Sequence, residues 1–298
     1  MCGIVAYTGK NQAEEFLLKG LQALEYRGYD SAGIEVVSPS GNLHGVKCAG
    51  RVQTLVDRCK TANPVGTTGI AHTRWATHGA PSDRNAHPHL DCSGRIAIVH
   101  NGIIENYAEL RSYLARNGHT LVSDSDSEVI AHLVEDAWKG PARGDLVRAL
   151  SNAAERLTGS YAIAVICADA PDQVAVTRKG APLVVASAED GAYAASDVTP
   201  LASVTSHVIT LDDGQLALLE GSGGVQVFDA DCNPVEHPDT FDIDWDASAA
   251  TLGGYPDFMA KEISEQPEAI ERLLKDRLGE HGINLDELSM SNEELATI

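Results

Sequence analysis

Short β-rich runs dominate the first four-fifths of the chain, and their arrangement constrains the fold more than any other feature. Ten of them fall at residues 3–7, 33–37, 69–73, 95–99, 161–167, 173–176, 183–186, 208–211, 215–219 and 225–228. Helical periodicity occupies residues 12–26, 52–58, 107–116, 127–138 and 145–157. The last four helical runs sit between blocks of strands instead of alternating with them one for one. Many strands with grouped helices imply an α+β fold of antiparallel or mixed sheet layers covered by helices, not a doubly wound parallel sheet. No internal repeat or low-complexity tract interrupts the pattern.

A chain of 298 residues is long enough for one large domain or two smaller ones with ample core. Its longest apolar run, from Tyr161 to Ala168, has about the length of a strand and falls short of the ~18 residues a membrane helix needs. The start, Met1-Cys2-Gly3-Ile4-Val5, has neither a basic segment nor a long apolar one, so no signal peptide is expected. With 43 acids against 22 bases and a net charge of −21, the chain carries the same sign as nucleic acid, a poor partner for it. The six cysteines, at positions 2, 48, 59, 92, 167 and 232, form no CxxC pair and no regular spacing. That argues against zinc sites and a disulfide framework and for a reduced, cytoplasmic location. GxGxxG and GxxxxGK[ST] loops are absent, which removes the main support for dinucleotide or nucleoside triphosphate binding. No cofactor is expected.

Charge is concentrated at one end. Residues 239–298 hold 15 acids and 4 bases, a net −11. Asp242, Asp244 and Asp246 lead into Ala247-Ser248-Ala249-Ala250 and Gly253-Gly254, which reads as a linker. Helical spacing of Met259, Ile263, Ile270, Leu273 and Leu274 follows, with Pro267 expected to open a second helix at its first turn. Leu285, Leu288 and Leu295 suggest one more short amphipathic piece. The expected division is therefore 2–238 as the main domain and 239–298 as linker and helices that cannot bury a core of their own.

Chemistry begins at the second residue. A small residue after Met1 permits removal of the initiator methionine, leaving Cys2 with both a thiol and a free α-amine. That amine has an unperturbed pKa of about 7.7–8.0, so it can serve as general base for its own side chain. Cys2 alone is a weak signal that reads more readily as a buried structural thiol or as chance, and context has to decide. Four stretches supply it. Leu24-Glu25-Tyr26-Arg27-Gly28-Tyr29-Asp30-Ser31-Ala32-Gly33 is a helix-to-strand junction with Gly28 as the expected helix C′ residue. Gly69-Ile70-Ala71-His72-Thr73-Arg74-Trp75-Ala76-Thr77-His78-Gly79 starts as a strand and becomes a polar loop in which Arg74 offers a planar fork for a carboxylate. Val99-His100-Asn101-Gly102 reads as a strand end, where the Asn101 amide and the Gly102 N–H can converge as an oxyanion hole. Asp124-Ser125-Asp126-Ser127-Glu128 opens a helix with several capping residues.

Met-Cys-Gly-Ile-Val, Glu-Tyr-Arg-Gly-Tyr-Asp-Ser-Ala-Gly, His-Thr-Arg-Trp-Ala-Thr-His-Gly and Val-His-Asn-Gly-Ile-Ile-Glu-Asn, in this order, resemble the N-terminal-nucleophile (class II) glutamine amidotransferases. Within them the chain is similar to the glucosamine-6-phosphate synthase family. The resemblance spans about residues 2–238, and Lys261-Glu262-Ile263-Ser264-Glu265-Gln266-Pro267 resembles that family's lead-in to its sugar isomerase region. It implies a four-layer αββα sandwich and hydrolysis of the glutamine side-chain amide through a Cys2 thioester. Asn101 and Gly102 would form the oxyanion hole, and Arg74 and Asp126 would hold the substrate's α-carboxylate and α-ammonium. Thr77 and His78 would line the pocket, Arg27 would lie near the nucleophile, and Trp75 would gate an ammonia channel. It further implies isomerase domains that bind fructose 6-phosphate, and a homo-oligomeric full-length enzyme.

Plainer readings remain for several residues. Arg27 and Asp30 form a plausible structural pair at the helix end, and Asp124 and Asp126 read equally as helix N-caps. His72 and His78 lack third and fourth ligands at suitable spacing, so no metal is expected there. Satisfied structural histidines are the simpler reading, including for His87, His89 and His100. Cys48, Cys59, Cys92, Cys167 and Cys232 read as structural or exposed thiols. Tyr255-Pro256-Asp257-Phe258-Met259 departs from the family's linker motif. Alternative functions are a class II glutaminase serving another acceptor, or a non-catalytic module that senses glutamine.

Overall fold

The computed structural model describes residues 2–243, 254–255, 258–275, 278–279 and 282–283. The chain forms two compact units, Met1–Ala250 and Thr251–Ile298. In the first, β1 (Gly3–Gly9), α1 (Ala13–Leu24), β2 (Ser31–Val37), β3 (Leu43–Ala49), α2 (Val52–Ala62) and β4 (Thr68–Arg74) come in order. They are followed by β5 (His89–Leu90), β6 (Ile96–Ile104), α3 (Tyr107–Arg116), α4 (Glu128–Lys139) and α5 (Leu146–Ala154). The rest is strand: β7 (Gly159–Cys167), β8 (Ala170–Lys179), β9 (Val184–Ala188), β10 (Gly191–Ala195), β11 (His207–Thr210), β12 (Leu216–Glu220), β13 (Val225–Phe228) and β14 (Thr240–Asp242).

These strands build two sheets, β14-β11-β9-β10-β1-β4-β2-β3 and β13-β12-β8-β7-β6-β5, with antiparallel pairing between their strands. Side-chain alternation sorts the apolar residues into three cores. Ile4, Ala6, Ile70, Ala97, Val99, Ala162 and Ala164 fill the gap between the sheets. On the outer face of the eight-stranded sheet Val5, Tyr7, Ile34 and Ala71 meet Leu17 and Leu21 of α1 and Leu55 of α2. On the outer face of the six-stranded sheet Ile96, Ile98, Ile163 and Val165 meet α3, α4 and α5. The result is the αββα sandwich. Strands β1, β2 and β4 are covered on both faces, so their residues are buried along almost the whole length, polar ones such as Glu35, His72 and Arg74 included, instead of alternating between core and solvent.

Several expectations need correction. Gly28 is not a left-handed helix cap. Helix α1 passes into a 3₁₀ turn at Glu25–Arg27, and Gly28 follows in extended backbone with φ −178°. Strands β3, β10 and the short β5 and β14 were not foreseen. Because β14 pairs with β11, the sheet continues past the expected boundary at residue 238. In the second unit Pro267 opens no new helix. It sits inside one helix, α6 (Phe258–Lys275), where Ala260-Lys261-Glu262 and Glu268-Ala269 are strong helix formers on either side of the hydrogen bond the imino acid removes. The second unit also holds the two-residue strands β15 (Leu278–Gly279) and β16 (Gly282–Ile283). Leu285, Leu288, Leu295, Asp244, Asp246, Pro256 and Asp257 lie outside the described residues. Among the described residues no helix is long and apolar enough to cross a membrane.

Candidate active site

Period-two alternation explains where the candidate residues converge. Along β1 and just before it, Ala6, Ile4 and Cys2 share the face turned to the other sheet; along β4, Ile70, His72 and Arg74 do the same. On β6 that face carries Ala97, Val99 and Asn101. The β1–β4 register sets Gly3 opposite Thr73, so Cys2 meets the end of β4. These three strands therefore deliver Cys2, His72, Arg74 and Asn101 to one end of the gap between the sheets.

The Trp75 N–H donates to Cys2 Sγ at 3.3 Å, and the thiol lies 3.6 Å from the Trp75 carbonyl oxygen. Burial raises the Cys2 pKa; the Trp75 backbone and the Arg74 charge pull it back, while the Asp126 carboxylate pushes it up further. The Cys2 carbonyl accepts from Arg27 Nε at 3.1 Å and from Asn101 Nδ2 at 3.1 Å. Gly28 is required by proximity. A Cβ there would stand 2.7 Å from the Arg74 carbonyl carbon and 2.8 Å from the Trp75 nitrogen.

Arg74 is buried, and its Nη2 donates to the carbonyls of His78 and, at 3.2 Å, Gly79. Its Nη1 is buried with no hydrogen-bond partner, a free donor. Asp126 is buried and does not cap α4. Its Oδ2 accepts from the Ile104 N–H at 2.9 Å, and the Ser127 side chain also leaves the helix end uncapped, facing His100 Nδ1 at 2.8 Å. Glu128, the first residue of the helix, instead ties down the preceding loop by accepting from the N–H groups of Val122 and Ser123 at 2.6 and 2.7 Å. Burial would raise its pKa, but its hydrogen-bond partners overcome that and hold it at about 2.

Asn101 and Gly102 lie inside β6 instead of at a strand end. Gly102 has φ +129°, and a Cβ would fall 2.0 Å from the Ser160 carbonyl oxygen, so only glycine fits. Among the other candidates, Thr77 is exposed in the loop after β4 and His78 packs its ring against Tyr107 at 5.0 Å. Trp75 is 47% exposed, with its ring edge-on to Tyr29 at 5.6 Å; its backbone, not its ring, touches Cys2. The Arg27–Asp30 pair is not formed. Arg27 pairs with Asp197 at 3.3 Å, and Asp30 accepts from the Ala76 N–H at 2.8 Å.

Sequence reasoning missed two supporting residues. Asp197 joins Arg27 and the Tyr26 hydroxyl (3.0 Å) from a loop about 170 residues away, with no local signal. His72 was treated as a structural histidine. Its Nε2 lies 2.9 Å from the His100 carbonyl oxygen and 3.0 Å from Asn101 Oδ1. Both are acceptors, so Nε2 carries the proton and donates to both. Burial, then the neighbouring His100 charge, lowers the His72 pKa to about 3 and keeps the ring neutral. With Oδ1 accepting, the Asn101 amide nitrogen is aimed at Cys2. The signal was there in the two-residue offset from Arg74. Nor are all the buried histidines satisfied: His87 has no hydrogen-bond partner at either ring nitrogen.

Residues 72–203 match the family model described as a glutamine amidotransferase domain. The fold agrees with solved amidotransferases. The glutamine phosphoribosylpyrophosphate amidotransferase of B. subtilis superposes with a TM-score of 0.65 at 24% identity, over 78% of this chain and 50% of that one. A glutamine aminotransferase class-II domain protein from Silicibacter pomeroyi gives 0.53 at 17%, over 76% and 99%. The chain thus carries a glutamine amidotransferase domain on the fold of those enzymes. It is similar from end to end to enzymes named glutamine–fructose-6-phosphate aminotransferase (isomerizing): 42% identical to that of Clostridium tetani over 100% of this chain and 48% of the relative. Identity is 47% to that of Thermococcus kodakarensis over 91% and 44%, and 45% to that of Streptomyces coelicolor over 97% and 46%. The chain spans about half the length of these relatives.

Proposed function

We propose that this chain is the glutaminase half of a glucosamine-6-phosphate-forming synthase. Cys2 Sγ attacks the side-chain amide carbon of glutamine, the C–N bond breaks, ammonia leaves, and water then hydrolyses the γ-glutamyl thioester to glutamate. Removal of Met1 frees the Cys2 α-amine, which takes the thiol proton and returns it to the departing ammonia. The observation that carries this reading is the convergence on Cys2. The thiol receives the Trp75 N–H, the Arg74 and Asp126 charges both act on it, and Asn101 is held against the same residue from the opposite sheet.

In this reading Asn101 Nδ2 and the Gly102 N–H hold the tetrahedral oxyanion. Arg74 binds the substrate α-carboxylate through the Nη1 that lacks a protein partner, and Asp126 binds the α-ammonium. Arg27 fixes the Cys2 carbonyl, Thr77 and His78 border the pocket, and Trp75 stands at the exit that ammonia takes. The segment beyond β14 serves as linker and lead-in to sugar isomerase domains that use fructose 6-phosphate, in a homo-oligomer. Helix α6, which exposes Met259 (68%) and Ile263 (59%), offers those domains an apolar stripe. The test is to confirm Met1 loss by N-terminal mass analysis and assay glutamate release from glutamine. Cys2→Ala should be silent yet still bind glutamine. Glutamate release by Cys2→Ala, or by a chain that keeps Met1, refutes the mechanism.

A further inference from the structure

Away from this site, four side chains from separate segments turn their donor atoms toward one point. Cys92 lies in the turn between β5 and β6, His119 follows α3, and His132 and Glu135 stand on α4. Cys92 Sγ is 3.6 Å from His119 Nδ1 and 3.5 Å from His132 Nδ1. Glu135 Oε2 is 3.2 Å from His119 Nδ1 and 3.4 Å from His132 Nδ1. A tetrahedral zinc ion with bonds of about 2.0–2.1 Å to nitrogen and oxygen and 2.3 Å to sulfur sets its ligands about 3.3–3.6 Å apart. The four measured edges, at 3.2, 3.4, 3.5 and 3.6 Å, lie within about 0.1 Å of those lengths.

The surroundings are arranged as a metal's would be. Asp136 Oδ1 accepts from His119 Nε2 at 2.9 Å, fixing the tautomer that leaves Nδ1 as a free lone pair. Glu128 Oε1 faces His132 Nε2 at 3.8 Å, too far for a hydrogen bond, so its charge favours the proton on that nitrogen without fixing it. Lys139 takes Glu135 Oε1 at 2.6 Å, turning Oε2 to the cluster. The Thr120 N–H points at Cys92 Sγ from 3.4 Å, a donor suited to a thiolate. One sulfur, two imidazole nitrogens and one carboxylate oxygen suit zinc and not magnesium or calcium, which prefer all-oxygen shells.

We propose that Cys92, His119, His132 and Glu135 bind one zinc ion in a closed, structural site. The ion ties the turn before β6 and the segment after α3 to α4, the helix that follows the Asp126 loop. The assignment of the ion does not rest on the glutaminase reading. It escaped sequence analysis because its ligands are spread over 44 residues with no paired-cysteine spacing.

The test uses the full chain without a polyhistidine tag. Metal content by mass spectrometry should give about one zinc per chain, and exchange for cobalt(II) should give tetrahedral ligand-field bands with a thiolate charge-transfer band. Cys92→Ser, at an exposed position that tolerates the change, should lose that band and the bound zinc. Asp136→Asn should keep the site but weaken zinc binding about 10- to 100-fold. A chelator should lower the denaturation midpoint of the wild type and leave that of Cys92→Ser unchanged. Failure of the wild type to take up zinc or cobalt overturns the proposal, as does a thiolate band or zinc content that persists in Cys92→Ser.

Discussion

Replacing His72 with Phe tests whether Asn101 is oriented from the opposite sheet. His72 is completely buried and its ring lies 4.1 Å from that of His87, so an aromatic ring of similar size is accommodated. The substitution removes the Nε2–H that reaches Asn101 Oδ1 at 3.0 Å and the His100 carbonyl at 2.9 Å. Asn101 Nδ2 itself remains, so the loss is one of aim, not of the donor. A neutral hydrogen bond contributes about 1–1.5 kcal/mol. At about 1.4 kcal/mol per decade, kcat for glutamine hydrolysis should fall about 5- to 12-fold, whereas Asn101→Ala, which deletes the donor, should cost about 100- to 1,000-fold. KM should hold because the bond acts on the oxyanion. In a double-mutant cycle the His72 effect should vanish on the Asn101→Ala background. If His72→Phe keeps kcat within about twofold of wild type, or its effect multiplies with that of Asn101→Ala, His72 does not orient Asn101.

Arg74→Lys loses the whole guanidinium, both the Nη2 that holds the His78 and Gly79 carbonyls and the unpartnered Nη1; steady-state kinetics should show KM for glutamine raised about 30-fold, the ~2 kcal/mol of a charge-assisted hydrogen bond, and an unchanged KM would remove Arg74 from the carboxylate site. The second concerns pH and the buried histidines. Burial lowers His72 to about 3 and His100 to about 4 and puts His87 and His89 well below the ordinary value. All four titrate near 6.5 when unfolded, so the unfolded chain binds more protons. Their stability is complete above pH ~6.5 and is lost as pH falls toward the folded values, by up to ~1.4 kcal/mol per pH unit each. Glu35, buried and raised to about 8, acts oppositely and offsets roughly one histidine. Urea unfolding should therefore show stability falling between pH 6.5 and 5, above the carboxylate range; a flat profile there refutes the account.

The layers were legible in the sequence because they follow from side-chain periodicity. Every expected strand run and the five helices of the first unit have counterparts in the structure. The elements that were missed are those whose residues argue against them locally. Strand β3, Leu43–Ala49, contains His44, Gly45 and Lys47, and β10, Gly191–Ala195, is glycine and alanine around Tyr193. Pairing makes them strands: β3 extends the edge beside β2, and β10 is inserted between β9 and β1. Alanine, a poor strand former, suits β10 because Ala192 and Ala194 face the gap between the sheets, a core rich in alanine. Pro267 shows the reverse case, a local break signal overridden by good helix formers on both sides.

The candidate site was legible as a set of residues and illegible as an arrangement, for a physical reason. Cys2, Arg74 and Asn101 each stand out by type and neighbours, but what gives them a common purpose is the sheet-to-sheet alignment of three strand faces. Resemblance can carry over residue identities, yet it says nothing of partners such as Asp197 or His72. Their contribution is a hydrogen bond made across a gap of 25 residues or more of sequence. The Cys92 cluster goes further. Histidine, cysteine and glutamate are unremarkable at each of its positions, and only the packing of α4 against the β5–β6 turn brings four donor atoms to zinc-like distances. The same helix carries both features. Its first residue, Glu128, holds Val122 and Ser123 in the loop that presents Asp126, and also faces His132. Occupancy of the metal position is thereby linked to the geometry of the carboxylate that we assign to the substrate amine. Zinc removal should therefore raise KM for glutamine in the wild type and leave it unchanged in Cys92→Ser.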